Sequence, residues 1–119
     1  MRPHERLDLW KKAIEFVIAI YKATETFPKE EKFGLTSQLR RASVSIVANI
    51  AEGAGRRTPK EFRQFLSNSQ GSASEVDTEL IISHRLKYLS SVDYDRLAKD
   101  LDHIGRMITG LSRKLVITN

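Results

Sequence analysis

Hydrophobic positions along the chain recur with helical spacing in four segments that are separated by short breaks. These segments cover about residues 8–27, 33–54, 59–89 and 91–116, and the alternation typical of strands is nearly absent. Long helices joined by short loops pack as antiparallel neighbours. The pattern therefore predicts an all-α, single-domain protein, built as an up-down-up-down antiparallel four-helix bundle.

Local signals mark several of the predicted helix ends. Asp8 is a plausible N-cap of the first helix, and Pro28 disfavours helical geometry in the residue before it. The clearest start belongs to the third helix, where Thr58 can cap, Pro59 suits the first helical position and Glu61 completes a capping box. The middle of that helix, residues 67–74, is small and polar. We interpret it as a close approach to a neighbouring helix, with a kink at Gly71 as the alternative.

The first helix carries two adjacent apolar stripes instead of one. One stripe consists of Trp10, Ile14, Val17, Tyr21 and Thr24, and the other consists of Leu9, Ala13, Phe16, Ile20 and Ala23. Such a wide apolar arc exceeds what one side of a small bundle can cover. The outer positions Val44, Val47 and Ala51 of the second helix add to this excess. We therefore expect a homo-oligomer that covers these faces, with five subunits as the best estimate.

A line of polar residues interrupts the apolar second helix and has a counterpart on the third. We name the following residues the polar seam: Gln38, Arg41, Ser45, Asn49, Glu52, Gln64, Asn68 and Glu75. Centring the antiparallel register on the turn at residues 56 and 57 predicts the pairs Asn49–Gln64, Ser45–Asn68, Arg41–Ser72 and Gln38–Glu75. Arg41 could also reach Glu75. The favoured interpretation is structural, because buried polar groups need partners; a subunit contact or a ligand site is the alternative.

Composition narrows the functional classes. The 119-residue chain has 20 lysines and arginines against 15 acidic residues, which gives a net charge of +5. Such an excess suits an anionic partner such as nucleic acid, although it also suits an ordinary solvated surface. Cysteine is absent, the N-terminal segment is too charged for a signal peptide, and no apolar run is long enough to cross a membrane. We expect a cytoplasmic protein without a membrane partner.

Basic residues concentrate around the predicted turn between the second and third helices. Arg56, Arg57, Lys60 and Arg63 lie there, and Arg40 lies on the second helix. Cationic side chains beside a helix N-terminus favour phosphate groups. The nearby aromatic residues have core spacing, so base stacking has little support. The pattern predicts backbone contacts to RNA or DNA with weak sequence specificity.

Catalytic patterns are weak. Arg96 and His103 match the short R-x6-H spacing of HEPN-type ribonucleases, but this spacing often arises by chance, and a solvent-exposed helix face is the favoured interpretation. The remaining histidines are scattered and lack the spacing of metal ligands, and "GAGRRT" lacks the lysine and spacing of a phosphate-binding loop. The sequence predicts a non-enzymatic protein without a metal or cofactor.

The segment FPKEEKFGLTSQLRRASVSIVANIAEGAGRRTPKEFRQFLSNSQGSASE, residues 27–75, resembles a known family. It is similar to the four-helix bundle proteins encoded in bacterial 23S ribosomal RNA intervening sequences. Their pattern is close to F-P-x-E-E-x-(F/Y)-G-L-x-x-Q-x-R-R-A-x-x-S-I-x-x-N-I-A-E-G, followed by a helix that ends in G-S-x-x-E. Leu9, Trp10, Lys12 and Ala13 also match the family's opening helix. One departure is the polar stretch at residues 67–70, where the family is usually more apolar.

The resemblance implies an antiparallel bundle that assembles as a ring-like homopentamer, and it does not imply an enzyme. A related branch comprises accessory proteins of diversity-generating retroelements, which bind nucleic acid through a basic surface and partner a reverse transcriptase. From this branch we take two expectations, a nucleic-acid-binding surface and a protein partner such as a reverse transcriptase. A protein-interaction scaffold is the alternative function.

Overall fold

The computed structural model describes residues 1–118, with side chains described for residues 1–116. Four helices are present: α1 Asp8–Thr24, α2 Leu35–Ala54, α3 Pro59–Arg85 and α4 Ser91–Thr118. Short 3-10 helices cover Pro3–Arg6 and Lys29–Glu31. The part of the chain that the structure describes contains no strand. α1 packs against α2 and α4, and α3 packs against the same two helices. The predicted all-α four-helix bundle is confirmed.

The core is formed by one face of each helix. The large side chains that are fully covered are aliphatic: Ile20, Leu39, Ile46, Ile50, Leu66, Val76, Leu80, Leu97, Ile104 and Ile108. On α1 the inner stripe, from Leu9 to Ile20, is buried, whereas Tyr21 of the outer stripe is 42% exposed. Val47 was expected on an outer face, but it is only 8% exposed and belongs to the core. The bundle covers more of α2 than the sequence pattern indicates.

The predicted cap of α1 and the predicted C-terminal ends of α1 and α3 differ from the structure. α1 is preceded by Leu7, and the side chain of Asp8 does not cap it; Asp8 is its first helical residue. α1 also stops at Thr24 and not near residue 27. There the Thr24 hydroxyl donates to the carbonyl oxygen of Ile20 at 2.8 Å, a local bond that competes with helix continuation.

α3 ends at Arg85, four residues before the predicted boundary. Lys87 has a φ of 65°, the left-handed conformation that reverses the chain after a helix. The N–H of Lys87 donates to the carbonyl of His84 and the N–H of Tyr88 to that of Ser83, both at 3.0 Å. This pattern is the Schellman motif, with lysine in the position usually held by glycine. The expected glycine signal is therefore absent from the sequence.

The close approach of α2 and α3 depends on Gly53. A methyl group at this position would lie 2.7 Å from Cβ of Phe65 and 2.9 Å from Cδ1 of Phe62. Farther along the interface, the buried Ser69 hydroxyl donates to the carbonyl oxygen of Ile46 at 2.8 Å. The small residues in the middle of α3 thus allow tight packing on α2. The helix is continuous through Gly71.

The loops at the far end of the bundle are joined by aromatic packing. Phe27, in the loop after α1, packs against the ring of Tyr88 with centroids 5.7 Å apart. The hydroxyl of Tyr88 donates to Oε2 of Glu31 at 3.2 Å. These contacts connect the α1–α2 loop to the α3–α4 loop and fix one end of the molecule.

Candidate nucleic-acid interface

Four of the predicted binding residues lie at the end of the bundle where α2 leads into α3. Arg56, Arg57 and Lys60 are exposed, and Arg63 is half-buried. Gly55 ends α2, and only residues 56–58 separate it from Pro59, the first residue of α3. The short connection keeps these cations within a few residues of one another along the chain and on one end of the fold. They form a localised positive surface.

The chain termini add cations that sequence reasoning did not assign to this surface. Arg2 lines a cavity together with Arg56, so the N-terminal segment lies beside the α2–α3 turn. Nη1 of Arg63 donates to the carbonyl oxygen of Leu115 at 3.3 Å, which brings the end of α4 to the same place. Arg113, two residues earlier, is exposed. We name Arg2, Arg56, Arg57, Lys60, Arg63 and Arg113 the basic end. The antiparallel topology was the signal that could have predicted the contribution of α4.

Nearby acidic groups are already engaged. Glu52 pairs with Arg56 at 3.6 Å, and Oε1 of Glu61 accepts a hydrogen bond from the Thr58 hydroxyl at 3.1 Å. Oγ1 of Thr58 accepts from the N–H of Glu61 at 3.1 Å, which confirms Thr58 as the N-cap. The cap occupies one free N–H group of the α3 N-terminus. Anions would therefore meet mainly the exposed side chains of Arg57 and Lys60.

Arg40 does not join this surface. It lies 16 residues before Arg56 on the chain, which corresponds to roughly 24 Å along a helix. Its guanidinium donates to Oγ1 of Thr24 at 2.9 Å and to the carbonyl oxygen of Tyr21 at 3.2 Å. Arg40 therefore stabilises the end of α1, at the opposite end of the bundle from the α2–α3 turn.

The polar seam is much less buried than predicted. Gln38, Arg41 and Glu52 on α2 are exposed, as are Gln64, Asn68 and Glu75 on α3. Among the described residues, no ion pair joins Arg41 to Glu75. Gln64 donates to Asn68 of its own helix at 3.3 Å, and not across to α2. The expected set of cross-helix pairs is therefore not formed.

One cross-helix contact does lie within this polar line, in a different register. The hydroxyls of Ser45 and Ser72 are 2.9 Å apart, whereas Ser45 was expected beside Asn68. Nδ2 of Asn49 donates to the carbonyl oxygen of Ser45 at 2.9 Å, which satisfies the amide within α2. The contact centres the antiparallel register between residues 58 and 59 and not at residues 56 and 57. The predicted register is therefore wrong by about two residues.

Glu79 is the buried acidic group near this line. It is 6% exposed, and its Oε1 has no hydrogen-bond partner among the described residues. Burial raises the pKa of Glu79 to about 7, with further contributions from the charge of Glu75 and from a hydrogen bond to Glu75. Glu79 thus keeps its proton at mildly acidic pH. Sequence spacing does not indicate this burial, because Glu79 follows Glu75 at the helical spacing of the polar line.

The ribonuclease-like pair is not assembled into a pocket by the described contacts. Arg96 and His103 are both exposed on α4. Arg96 pairs with Asp93 at 3.0 Å, one turn earlier on the same helix. Their spacing places them roughly 10 Å apart along the helix axis. Within residues 1–118, no helix is long and apolar enough to span a membrane, and no cluster of three potential metal ligands is present.

Comparison with known proteins relates this fold to one family. Residues 5–110 match the 23S rRNA-intervening sequence protein family. The chain is also similar to the crystal structure of a protein of unknown function from the S23 ribosomal protein family of Bacteroides thetaiotaomicron VPI-5482. The TM-score is 0.79 at 23% identity, over 87% of this chain and 97% of that one, which shows a shared fold. No curated protein matches the chain. The match over residues 5–110 places this chain in the 23S rRNA-intervening sequence protein family.

Proposed function

We propose that this protein is a non-enzymatic, oligomeric four-helix bundle that binds the phosphate backbone of RNA or DNA through the basic end. The observation that carries the proposal is the convergence of Arg2, Arg113 and the α2–α3 cations on one end of the fold. Arg57 and Lys60 form no ion pair among the described residues, so their charges are available to phosphates. The proposed place of action is the cytoplasm, in keeping with a chain that has no cysteine.

Electrostatics determines the expected form of binding. Each neutralised phosphate releases a counterion and adds about 0.7–0.9 to the slope of log affinity against log salt. Four cations per subunit, repeated in a homopentamer, would give a steep salt dependence and high avidity. Backbone contacts carry little sequence information, so sequence preference should be weak.

The test is a titration of labelled RNA and DNA at several salt concentrations. The variant replaces Arg56, Arg57, Lys60 and Arg63 with serine, and we expect a flattened salt slope. A matched control replaces Arg85, Lys87, Arg96 and Lys99, which lie at or near the opposite end, and should bind like the wild type. Arg63 contacts α4, so circular dichroism must show that the variant retains its helices. Absence of binding at low salt would reject the function, and an unchanged slope would reject the site.

A protein-interaction scaffold, or accessory subunit of an enzyme such as a reverse transcriptase, is the second candidate. It is favoured by large exposed apolar side chains at the end of the bundle opposite the basic end. Phe33 is 87% exposed, Val92 is 77% exposed and Leu86 is 50% exposed. Isolated apolar side chains are common on surfaces, but three at one end of the bundle, two on loops and one in the first turn of α4, suit a protein contact. Retention of a purified candidate partner by the wild type, and its loss with Phe33→Ser, would support this function.

A further inference from the structure

A cavity opens beside the basic end, between the N-terminal 3-10 helix and the end of α2. Its volume is about 320 Å³, and its lining comprises Arg2, Pro3, His4, Ala51, Glu52, Gly55 and Arg56. That volume falls at the lower end of the range of small-molecule sites, about 300–1,000 Å³. It is therefore suited to a group of the size of a nucleotide.

His4 gives this cavity an aromatic wall. Its ring packs against the indole of Trp10, with centroids 5.1 Å apart and planes inclined by 58°. The short helix that carries His4 is held by a hydrogen bond from the N–H of Arg2 to Oε2 of Glu5 at 3.1 Å. Trp10 is a positioning residue, because it supports the histidine ring from α1. Aromatic rings held in this way provide stacking surfaces for bases.

The charges around the cavity separate a base position from a phosphate position. Glu52 lines the cavity and pairs with Arg56 at 3.6 Å, so this ion pair adds no net charge. Arg2 also lines the cavity and Arg57 lies next to Arg56 on the exposed turn, so these two positive charges can meet phosphates. The guanidinium of Arg56 is also held over the ring of Phe65, 4.6 Å from its centroid. A base can thus enter the cavity while its phosphates meet arginines.

We propose that this cavity holds one unpaired base of a single-stranded nucleic acid against His4, while Arg2 and Arg57 contact the adjacent phosphates. The inference rests on the proposed nucleic-acid binding and specifies its substrate as single-stranded. A duplex keeps its bases stacked and paired, so it can offer only phosphates to the basic end. A single strand offers an unpaired base and its phosphates at once. In this proposal His4 is the residue that distinguishes single strands from duplexes.

The test compares three labelled probes of equal length: a single strand, a duplex and an abasic strand that keeps the phosphates but lacks bases. Stacking of one base accounts for about a 5- to 150-fold gain in affinity. We expect the wild type to bind the single strand at least about fivefold more tightly than the abasic strand. His4→Ala should remove that difference and leave the salt slope unchanged. His4→Tyr, which retains an aromatic ring, should preserve it.

The outcomes distinguish this inference from the proposed function. Equal affinity for the single strand and the abasic strand would overturn the inference alone, as would an undiminished preference in His4→Ala. Absence of binding to every probe would overturn the proposed function and this inference with it. Circular dichroism of His4→Ala should match the wild type, because His4 lies outside the four main helices.

Discussion

Nε of Arg40 donates a hydrogen bond to Oγ1 of Thr24 at 2.9 Å, which joins α2 to the last turn of α1. The same guanidinium donates to the carbonyl oxygen of Tyr21 at 3.2 Å and lies 4.5 Å from the centroid of its ring. The last carbonyls of a helix lack partners within the helix, and they carry the negative end of its dipole. Arg40 therefore satisfies and stabilises the end of α1.

Replacement of Arg40 should weaken the fold, whereas replacement of its neighbour should not. Hydrogen bonds to charged groups contribute about 1.5–3 kcal/mol, so we expect Arg40→Ala to lower the free energy of unfolding by about that amount. Arg41 is exposed, and Arg41→Ala should stay within about 0.5 kcal/mol of the wild type. Urea denaturation monitored by circular dichroism measures both values. Equal losses for the two variants would contradict the assigned role of Arg40.

Two glycines of the α2–α3 hairpin should respond in opposite directions to alanine. At Gly53 the added methyl group would meet Phe65 at 2.7 Å, so overpacking should cost about 1–3 kcal/mol. Gly71 is also helical, but nothing lies within 4 Å of a methyl group there. Gly71→Ala should therefore stabilise the protein by about 0.5–1 kcal/mol through helix propensity. Thermal unfolding of the two variants tests both signs.

The raised pKa of Glu79 predicts a loss of stability as pH increases. Its folded-state pKa is about 7, against an ordinary value of 4.5. Between these pH values the unfolded chain releases the proton while the folded chain retains it, so the free energy of unfolding falls as pH rises from 4.5 to 7. The shift corresponds to a loss on the order of 3 kcal/mol. Above pH 7 the contribution of protonated Glu79 to the free energy of unfolding is lost completely.

The Glu79→Gln variant isolates this effect from other titrating groups. We expect it to be more stable than the wild type at pH 8, and the gain should shrink towards pH 4.5. Asp77→Asn changes an exposed carboxylate on the same helix and serves as the matched control. Urea unfolding across this pH range provides the measurement. A constant difference between Glu79→Gln and the wild type would show that Glu79 has an ordinary pKa.

Sequence periodicity predicted the helices well because each helix buries a regular face. The capping role of Thr58 also followed from local chemistry, since its partner Glu61 lies three residues away. The end of α3 could not be predicted from local chemistry, because Lys87 adopts a left-handed conformation in which glycine is usual. That conformation is stabilised by tertiary contacts of the next residue, Tyr88, with Phe27 and Glu31.

The candidate site was only partly predictable. The cations around the α2–α3 turn are close in sequence, so their clustering could be predicted from the sequence. Arg2 and Arg113 contribute to the basic end only because of how the N-terminal segment and α4 pack. His4 is part of the proposed base site because its ring packs against Trp10. The register of α2 against α3 was predicted wrongly for a related reason. Residue spacing does not determine how far a short turn displaces one helix along the other. Ser45 consequently meets Ser72 and not Asn68.

Self-association should use the apolar face shared by α1 and α2. Ile18 is 51% exposed, Tyr21 is 42% exposed and Val44 is 43% exposed. Arg40 contacts Tyr21 and Thr24 across these antiparallel helices, which places Val44 within about one turn of Ile18 along the bundle. Half-buried Ile14 and Val17 continue the face along α1. An apolar area of this kind is typical of a subunit interface.

Light scattering tests the proposed homopentamer directly. We expect a mass of about 68 kDa for the wild type, five times the 13.6 kDa of one chain. The double variant Ile18→Glu/Val44→Glu should sediment and scatter as a single chain, because burial of two unpaired carboxylates would cost more than the interface contributes. Val92→Glu places the same charge in the exposed first turn of α4, at one end of the bundle, and should leave the mass unchanged. A wild-type mass of one chain at micromolar concentration would refute self-association. An assembled double variant would refute this face as the interface, because the carboxylates would then remain in water.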